Sequence, residues 1–298
     1  MKQKFIEKRF RQESLYMIEL INDVINEYHQ KGYDLTLRQV YYQLVAADLI
    51  ENSERSYKNI GNLVNDGRLA GLIDWDAIID RTRNLRGLGS DVNPEITIYR
   101  AAKLYRLDKW ENQPYHIEVW VEKDALAGII GQICNRLDID YFSCRGYTSQ
   151  SEMWRAARRL IEYEEDGKET VILHLGDHDP SGIDMSRDIT ERLELFGAYP
   201  EFKRLALNMD QVEEFSPPPN PAKLSDSRAK GYIKNYGRSS WELDALKPET
   251  LDELITDNIS PYIDYSLLTQ TEDREKEEKQ LLESVSDRWV DVRRFLEA

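Results

Sequence analysis

The chain has 298 residues, with 40 Lys and Arg against 55 Asp and Glu, for a formal net charge of −15. That length suits about two domains of the usual ~100–200 residues, and the acidity excludes a simple nucleic-acid coat protein, which needs an excess of Lys and Arg. No stretch approaches the ~18 apolar residues of a membrane span, the opening Met1-Lys-Gln-Lys-Phe-Ile has no signal-peptide core, and Cys134 and Cys144 alone make neither a disulfide framework nor a zinc site, so a cytoplasmic chain is expected, with no membrane partner.

Residues 1–30 read as one amphipathic helix, with Phe5, Phe10, Leu15, Ile18, Ile21, Val24, Ile25 and Tyr28 as its apolar face and Gly32 just past its end. Asp34 and Thr36 are N-cap candidates for a second helix through Leu37, Val40, Tyr41, Leu44 and Val45. Asn52-Ser53 opens a third, and Gly67, Gly71 and residues 72–75 suggest a short strand or wing. Three helices and a wing form the pattern of a winged helix-turn-helix. Residues 84–94 read as a linker, followed by an amphipathic stretch over 96–110.

The texture then changes to strands at 117–121, 140–143, 170–175 and 204–207, with helices between them. Such alternation indicates a mainly parallel α/β sheet flanked by helices. A proline run at 216–221 is the second break. The remainder reads as helical, and residues 241–298 hold 16 acids and 7 bases, a local net of 7 − 16 = −9.

Three groups of residues carry chemistry. Glu122 follows one strand, and Asp177 and Asp179 follow another, where an open α/β sheet places its ligands. Converging carboxylates repel unless a cation neutralises them, and an all-oxygen set favours Mg²⁺ or Mn²⁺. An Asp-x-Asp before Pro180 is equally what a helix N-cap requires. His178, between the two, points away if the segment is extended.

The second group is Thr36-Leu-Arg-Gln-Val-Tyr-Tyr-Gln43. Arg38 shares a helix face with Tyr41 and Tyr42 and can steady a phenolate and a developing phosphorane. Aromatics at this spacing also serve as core, and at least one of the pair is expected to. The third group is basic: Arg81, Arg83 and Arg86, then Lys223, Arg228, Lys230, Lys234 and Arg238 interleaved with Tyr232 and Tyr236. On a flexible segment these suit phosphate-backbone contact or an ordinary solvated surface.

Val121-Glu-Lys-Asp-Ala-Leu126, Gly146-Tyr-Thr-Ser149 and Gly176-Asp-His-Asp-Pro-Ser-Gly182 resemble the Toprim domain of the topoisomerase VI A subunit and its meiotic double-strand-break relatives. Thr36-Leu-Arg-Gln-Val-Tyr-Tyr resembles the (Ser/Thr)-x-Arg-x-x-Tyr-Tyr stretch of that family's winged-helix domain, and Trp241-Glu-Leu-Asp-Ala-Leu246 echoes another of its segments. The resemblance implies a winged-helix domain over 1–94, a Toprim domain over 95–215, and a basic linker with a helical extension packed on it over 216–298. It implies Tyr42 as nucleophile with Arg38 beside it, and Glu122, Asp177 and Asp179 as Mg²⁺ ligands, with Mn²⁺ able to substitute. The implied activity is DNA strand transesterification of the type IIB topoisomerase kind, leaving a 5′-phosphotyrosyl link. Double-stranded DNA is the implied partner, the implied assembly is a homodimer in which tyrosine and metal come from different protomers, and a GHKL-type ATPase B subunit is a further implied partner not encoded in this chain.

The sequence departs from the family in being shorter, like compact versions in mobile elements, and in carrying Thr148 where Pro is usual. It has no Walker motif. Two other readings therefore stay open, a hydrolytic Toprim DNase that does not use the tyrosine, and a non-catalytic dimer that binds or bridges DNA.

Overall fold

The computed structural model describes residues 1–78 and 90–298. Over these the protein is a mixed α/β structure built around a four-stranded parallel sheet. Helices α1 (Gln12–Gln30), α2 (Leu37–Ala46) and α3 (Glu54–Leu69) come first, followed by α4 (Pro94–Leu104). The alternating part runs β1 (Tyr115–Val121), α5 (Ala127–Leu137), β2 (Asp140–Ser143), α6 (Gln150–Glu165), β3 (Glu169–Leu175), α7 (Pro180–Leu195) and β4 (Glu201–Ala206). It continues through α8 (Met209–Phe215), a two-residue strand β5 (Asn220–Pro221), α9 (Ala229–Tyr236) and β6 (Ser239–Ser240), which pairs antiparallel with β5. Helices α10 (Pro248–Ile259), α11 (Tyr265–Asp287) and α12 (Trp289–Leu296) end the chain. Among the described residues no helix is long and apolar enough to cross a membrane.

The sheet order is β2-β1-β3-β4. The chain leaves β1 toward β2 and later resumes on β1's other side at β3, so the topological switch falls between β1 and β3. Period-two alternation sorts their side chains. Ile117, Val119, Val121, Val171, Leu173 and Leu175 pack with α5 and α10, while Trp120 and Ile172 pack with α6 and α7. The first three helices enclose a core of their own, built on Ile21, Val40, Leu44 and Ile73, and Ala245 from the far end of the sequence is part of it.

Three expectations are corrected. Residues 1–11 are not helical, and α1 begins at Gln12. Phe5, Phe10 and Leu15 are spaced by fives, which scatters them around a helix rather than along one face. The segment instead runs extended beside α3, with Phe5 N donating to Leu69 O at 2.8 Å.

No paired wing follows α3 among the described residues. Lys4–Ala70 and Leu35–Ile78 are isolated bridges, and Arg68 holds the segment by donating to the carbonyl oxygens of Trp75 and Ile78, at 3.0 and 2.5 Å. Residues 79–89, with Arg81, Arg83 and Arg86, lie outside the described residues.

The stretch expected to be flexible around 223–238 contains α9. Its Tyr232 is buried and donates to the backbone carbonyl of His178 at 2.9 Å rather than facing a ligand.

An ion pair between buried Glu118 and partly exposed Arg159 gives a pH-dependent contribution to stability. Glu118 on β1 accepts two hydrogen bonds from Arg159 at 2.8 Å and one from Trp120 at 2.9 Å, and its Oε1 lies 3.0 Å from His116 Nε2. Burial alone raises its pKa, but the bonds from Arg159 and His116 outweigh burial and bring it from 4.5 down to about 2. The folded pKa is below the unfolded one. The stabilisation is therefore complete above pH 4.5 and lost as pH falls through about 2. Glu118→Gln is expected to lower unfolding free energy by about 3 kcal/mol at pH 7, measured by urea titration, with the gap to the parent narrowing below pH 4.5. A gap of the same size near the bottom of that range would contradict this.

Candidate active site

Helix α2 carries Arg38, Tyr41 and Tyr42. Its start is fixed by a capping box. Thr36 Oγ1 accepts from Gln39 N, and Gln39 Oε1 accepts from Thr36 N at 2.8 Å. The two tyrosines then part company. Tyr41 donates toward Asn52 Oδ1 at 3.0 Å and accepts from Ser53 N at 2.9 Å, which ties α2 to the start of α3. Tyr42 sits edge-on to the Tyr41 ring and has the Arg38 guanidinium over its own ring, 5.6 Å from the centroid. Its pKa is raised by burial, with the Glu242 charge adding to the rise and Arg38, Asn220 and Lys123 opposing it.

The carboxyl ends of β1 and β3 carry Glu122, Asp177 and Asp179, at the topological switch. Glu122 Oε2 accepts from Asp177 N at 2.9 Å, which links the two strand ends. Glycine makes this approach feasible. A Cβ on Gly182 would lie 2.2 Å from Asp177 O and 3.0 Å from Glu122 Oε2, and one on Gly176 would lie 2.9 Å from that same oxygen. Asp179 caps α7, its Oδ1 accepting from Gly182 N at 2.6 Å and from Ser181 Oγ at 2.9 Å. The capping role is thus real, and Asp179 still lines the cleft described below.

Beneath the loop lies Arg204 of β4. Its guanidinium donates to the carbonyl oxygens of Gly176, Asp177, Gly182 and Leu207, at 2.7–3.2 Å. Nothing in its strand sequence singled it out.

Arg38 and the strand ends meet through Trp241-Glu-Leu-Asp244. Glu242 Oε2 accepts from Arg38 at 2.7 Å and also from Lys123 Nζ. Asp244, whose side chain is 0% exposed, ion-pairs with Arg38 Nε and lies 3.9 Å from Lys123 Nζ. Asp177 Oδ2 is 2.7 Å from Lys123 Nζ, and its Oδ1 accepts from Leu243 N at 2.8 Å. Burial works to lower the pKa values of Lys123 and Arg38, and the surrounding carboxylates outweigh it, so both are raised and both stay charged. Burial raises Glu122 and, more strongly, Asp177, even with Lys123 pulling Asp177 down.

A cleft of about 480 Å³ opens over these groups, lined by Arg38, Tyr42, Asp179, Asn220, Lys223 and Glu242 among others. That volume is in the range of small-ligand sites, ~300–1,000 Å³. A second cleft of about 360 Å³ lies at the amino ends of β1 and β2, beside His116, Asp140 and Tyr163, and none of the residues singled out in the sequence lines it.

The donor set for a cation is all oxygen, which fits a hard divalent ion. Glu122 and Asp179 each spend one oxygen on the fold, Asp177 spends one on Leu243 N–H and the other on Lys123, and among the described residues no three acidic, His or Cys side chains form a preformed metal cage. Mg²⁺ is typically held by one or two carboxylates with substrate phosphate and water completing its shell. Asp179 on the cleft and Glu122 near it, each with one oxygen spent on the fold, are suited to that arrangement rather than to an all-protein cage.

The remaining site expectations divide. Lys223 lines the cleft, and Lys230, Lys234 and Arg238 are exposed. Arg228 is paired with Asp226 at 2.7 Å and Asp184 at 3.2 Å, with its guanidinium over Tyr147, so its charge is matched by the protein's own carboxylates at the surface. His178 packs against Tyr232, Tyr236 and Trp241, with Nδ1 2.8 Å from the Tyr232 hydroxyl. Cys134 and Cys144 are buried, and burial pushes both thiols up to about 12. The chain matches no protein-family model, no curated protein and no solved structure.

Proposed function

We propose that this protein is a divalent-metal-dependent DNA-cleaving enzyme that links itself to a 5′ phosphate through Tyr42. In this reading α1–α3 are the DNA-binding part of winged-helix type and the parallel sheet is a Toprim domain. The observation that carries it is the single cleft shared by Tyr42, Arg38 and Asp179, beside the ends of β1 and β3 where Glu122 and Asp177 sit.

The Tyr42 oxygen attacks a backbone phosphorus, the bond from phosphorus to the 3′ oxygen breaks, and the phenolic proton leaves as the 3′ hydroxyl gains one. Arg38 holds negative charge developing on the phosphoryl oxygens, and Glu242 and Asp244 hold Arg38 in place. Lys223, at the rim, attracts the strand. Glu122, Asp177 and Asp179 would hold Mg²⁺, which supplies charge neutralisation at the phosphate. DNA is the partner proposed, with a homodimer for paired cuts and an ATPase subunit for any strand passage.

One observation favours the hydrolytic alternative. Tyr42 is 5% exposed, and its burial holds the phenol protonated, whereas a divalent ion held by the carboxylates would itself activate water. Supercoiled plasmid incubated with the protein and Mg²⁺ or Mn²⁺, stopped with detergent, separates the readings. Our reading expects cut DNA that runs free only after protease treatment, and no cutting with a chelator. Cut DNA that runs free without protease favours water as the nucleophile. Salt-sensitive binding without cutting favours a binding protein.

A further inference from the structure

We infer that each chain completes its own cleavage site, with Tyr42 and Arg38 acting on a phosphate held by the carboxylates of the same chain. This rests on the function proposed above and departs from the shared arrangement implied by the family resemblance. Five contacts hold α2 and its neighbours against the sheet part within one chain. Arg38 reaches Glu242 at 2.7 Å and the fully buried Asp244. Asn52 Nδ2 donates to Asn220 Oδ1 at 2.8 Å across the cleft. Tyr33 donates to Asp252 at 3.0 Å. Ala245, one residue after Asp244, is buried inside the core of the first three helices.

The Arg38 and Asn52 contacts border the cleft, and with Tyr33–Asp252 and Ala245, which do not line it, they form a fixed internal seam that buries charge. Moving α2 to another chain's carboxylates would strand Asp244 without Arg38 and open the core at Ala245. With the seam intact, Tyr42 and Asp179 already face one cavity. No partner residue is needed to bring Tyr42 and Asp179 to one cavity, with Glu122 and Asp177 at the strand ends behind it.

Mixed dimers test this. Two differently tagged chains are co-expressed and purified through both tags, and covalent DNA linkage is scored per dimer. Tyr42→Phe keeps the ring contacts, and Asp177→Asn keeps the acceptor for Leu243 N–H, so both are chosen to fold. Circular dichroism checks this, and Glu122→Gln replaces Asp177→Asn if the latter does not fold.

A dimer of a parent chain with a chain carrying both substitutions is expected to keep about half the parental linkage. A dimer of the two single variants is expected to show none. A monomeric parent that links to DNA also supports the inference. The reverse pattern, with linkage in the dimer of single variants and none in the parent–double dimer, overturns it while leaving the proposed function standing. A parent chain that never links to DNA overturns both.

Discussion

Tyr42→Phe is expected to eliminate the covalent protein–DNA adduct, a fall of at least about 10³-fold, because the nucleophile itself is removed. The fold is expected to survive. The hydroxyl of Tyr42 bonds to Asn220 at the cleft, whereas that of Tyr41 bridges α2 to Asn52 and Ser53. Tyr41→Phe therefore makes the contrasting control. It is expected to lower stability by about 1–3 kcal/mol through the unpaired buried groups it leaves and to preserve adduct formation at temperatures where it is folded. Cutting that persists in Tyr42→Phe without an adduct would reassign the nucleophile to water.

Asp177→Asn is expected to have the second-largest effect, a loss of at least about 10²-fold in metal-dependent cutting. Its effect on stability has the opposite sign. Burial raises the Asp177 pKa well above 3.8, so the ionised carboxylate costs stability in the folded state. A raised carboxyl pKa means this cost is absent below the unfolded pKa, grows as pH rises from there, and is complete above the folded one. Asparagine removes the charge and keeps the Leu243 N–H partner, and Lys123, which loses its 2.7 Å pair with Asp177, keeps its pair with Glu242. The variant is expected to melt no lower than the parent at pH 7, the usual trade of stability against function at a charged site. Lower melting together with full cutting would show that Asp177 serves the fold alone.

The alternating half of the chain was legible because its apolar residues follow the two backbone periods, and the strands at 117–121 and 170–175 lie inside β1 and β3. Thr36 and Ser53 were legible as caps for local reasons. The wing was not, since Gly71 and a long Arg68 side chain shape that segment through contacts that leave no alternating pattern. The ionic seam was least legible. Arg38, Lys123, Asp177, Glu242 and Asp244 lie far apart in sequence, and charged residues look solvated until the fold brings them together. Trp241-Glu-Leu-Asp stood out only as a family echo with no role attached. The basic stretch at 223–238 misled in part, because Tyr232 is buried against His178 and Arg228 is paired with Asp226 and Asp184.

The net charge of −15 is also easier to place. Much of the excess lies in residues 241–298, yet Glu242 and Asp244 of that region are the counter-ions that hold two cations at the cleft. Local pairing, rather than total charge, decides what this site can bind.

The most direct test of the account is to map the linkage. The protein is incubated with DNA and Mg²⁺, denatured, treated with nuclease and digested with trypsin. The peptide from Gln39 to Arg55 is then sequenced by mass spectrometry. The account predicts a nucleotide joined through its 5′ phosphate to Tyr42. An unmodified peptide alongside cut DNA, or a nucleotide on Tyr41, would contradict it.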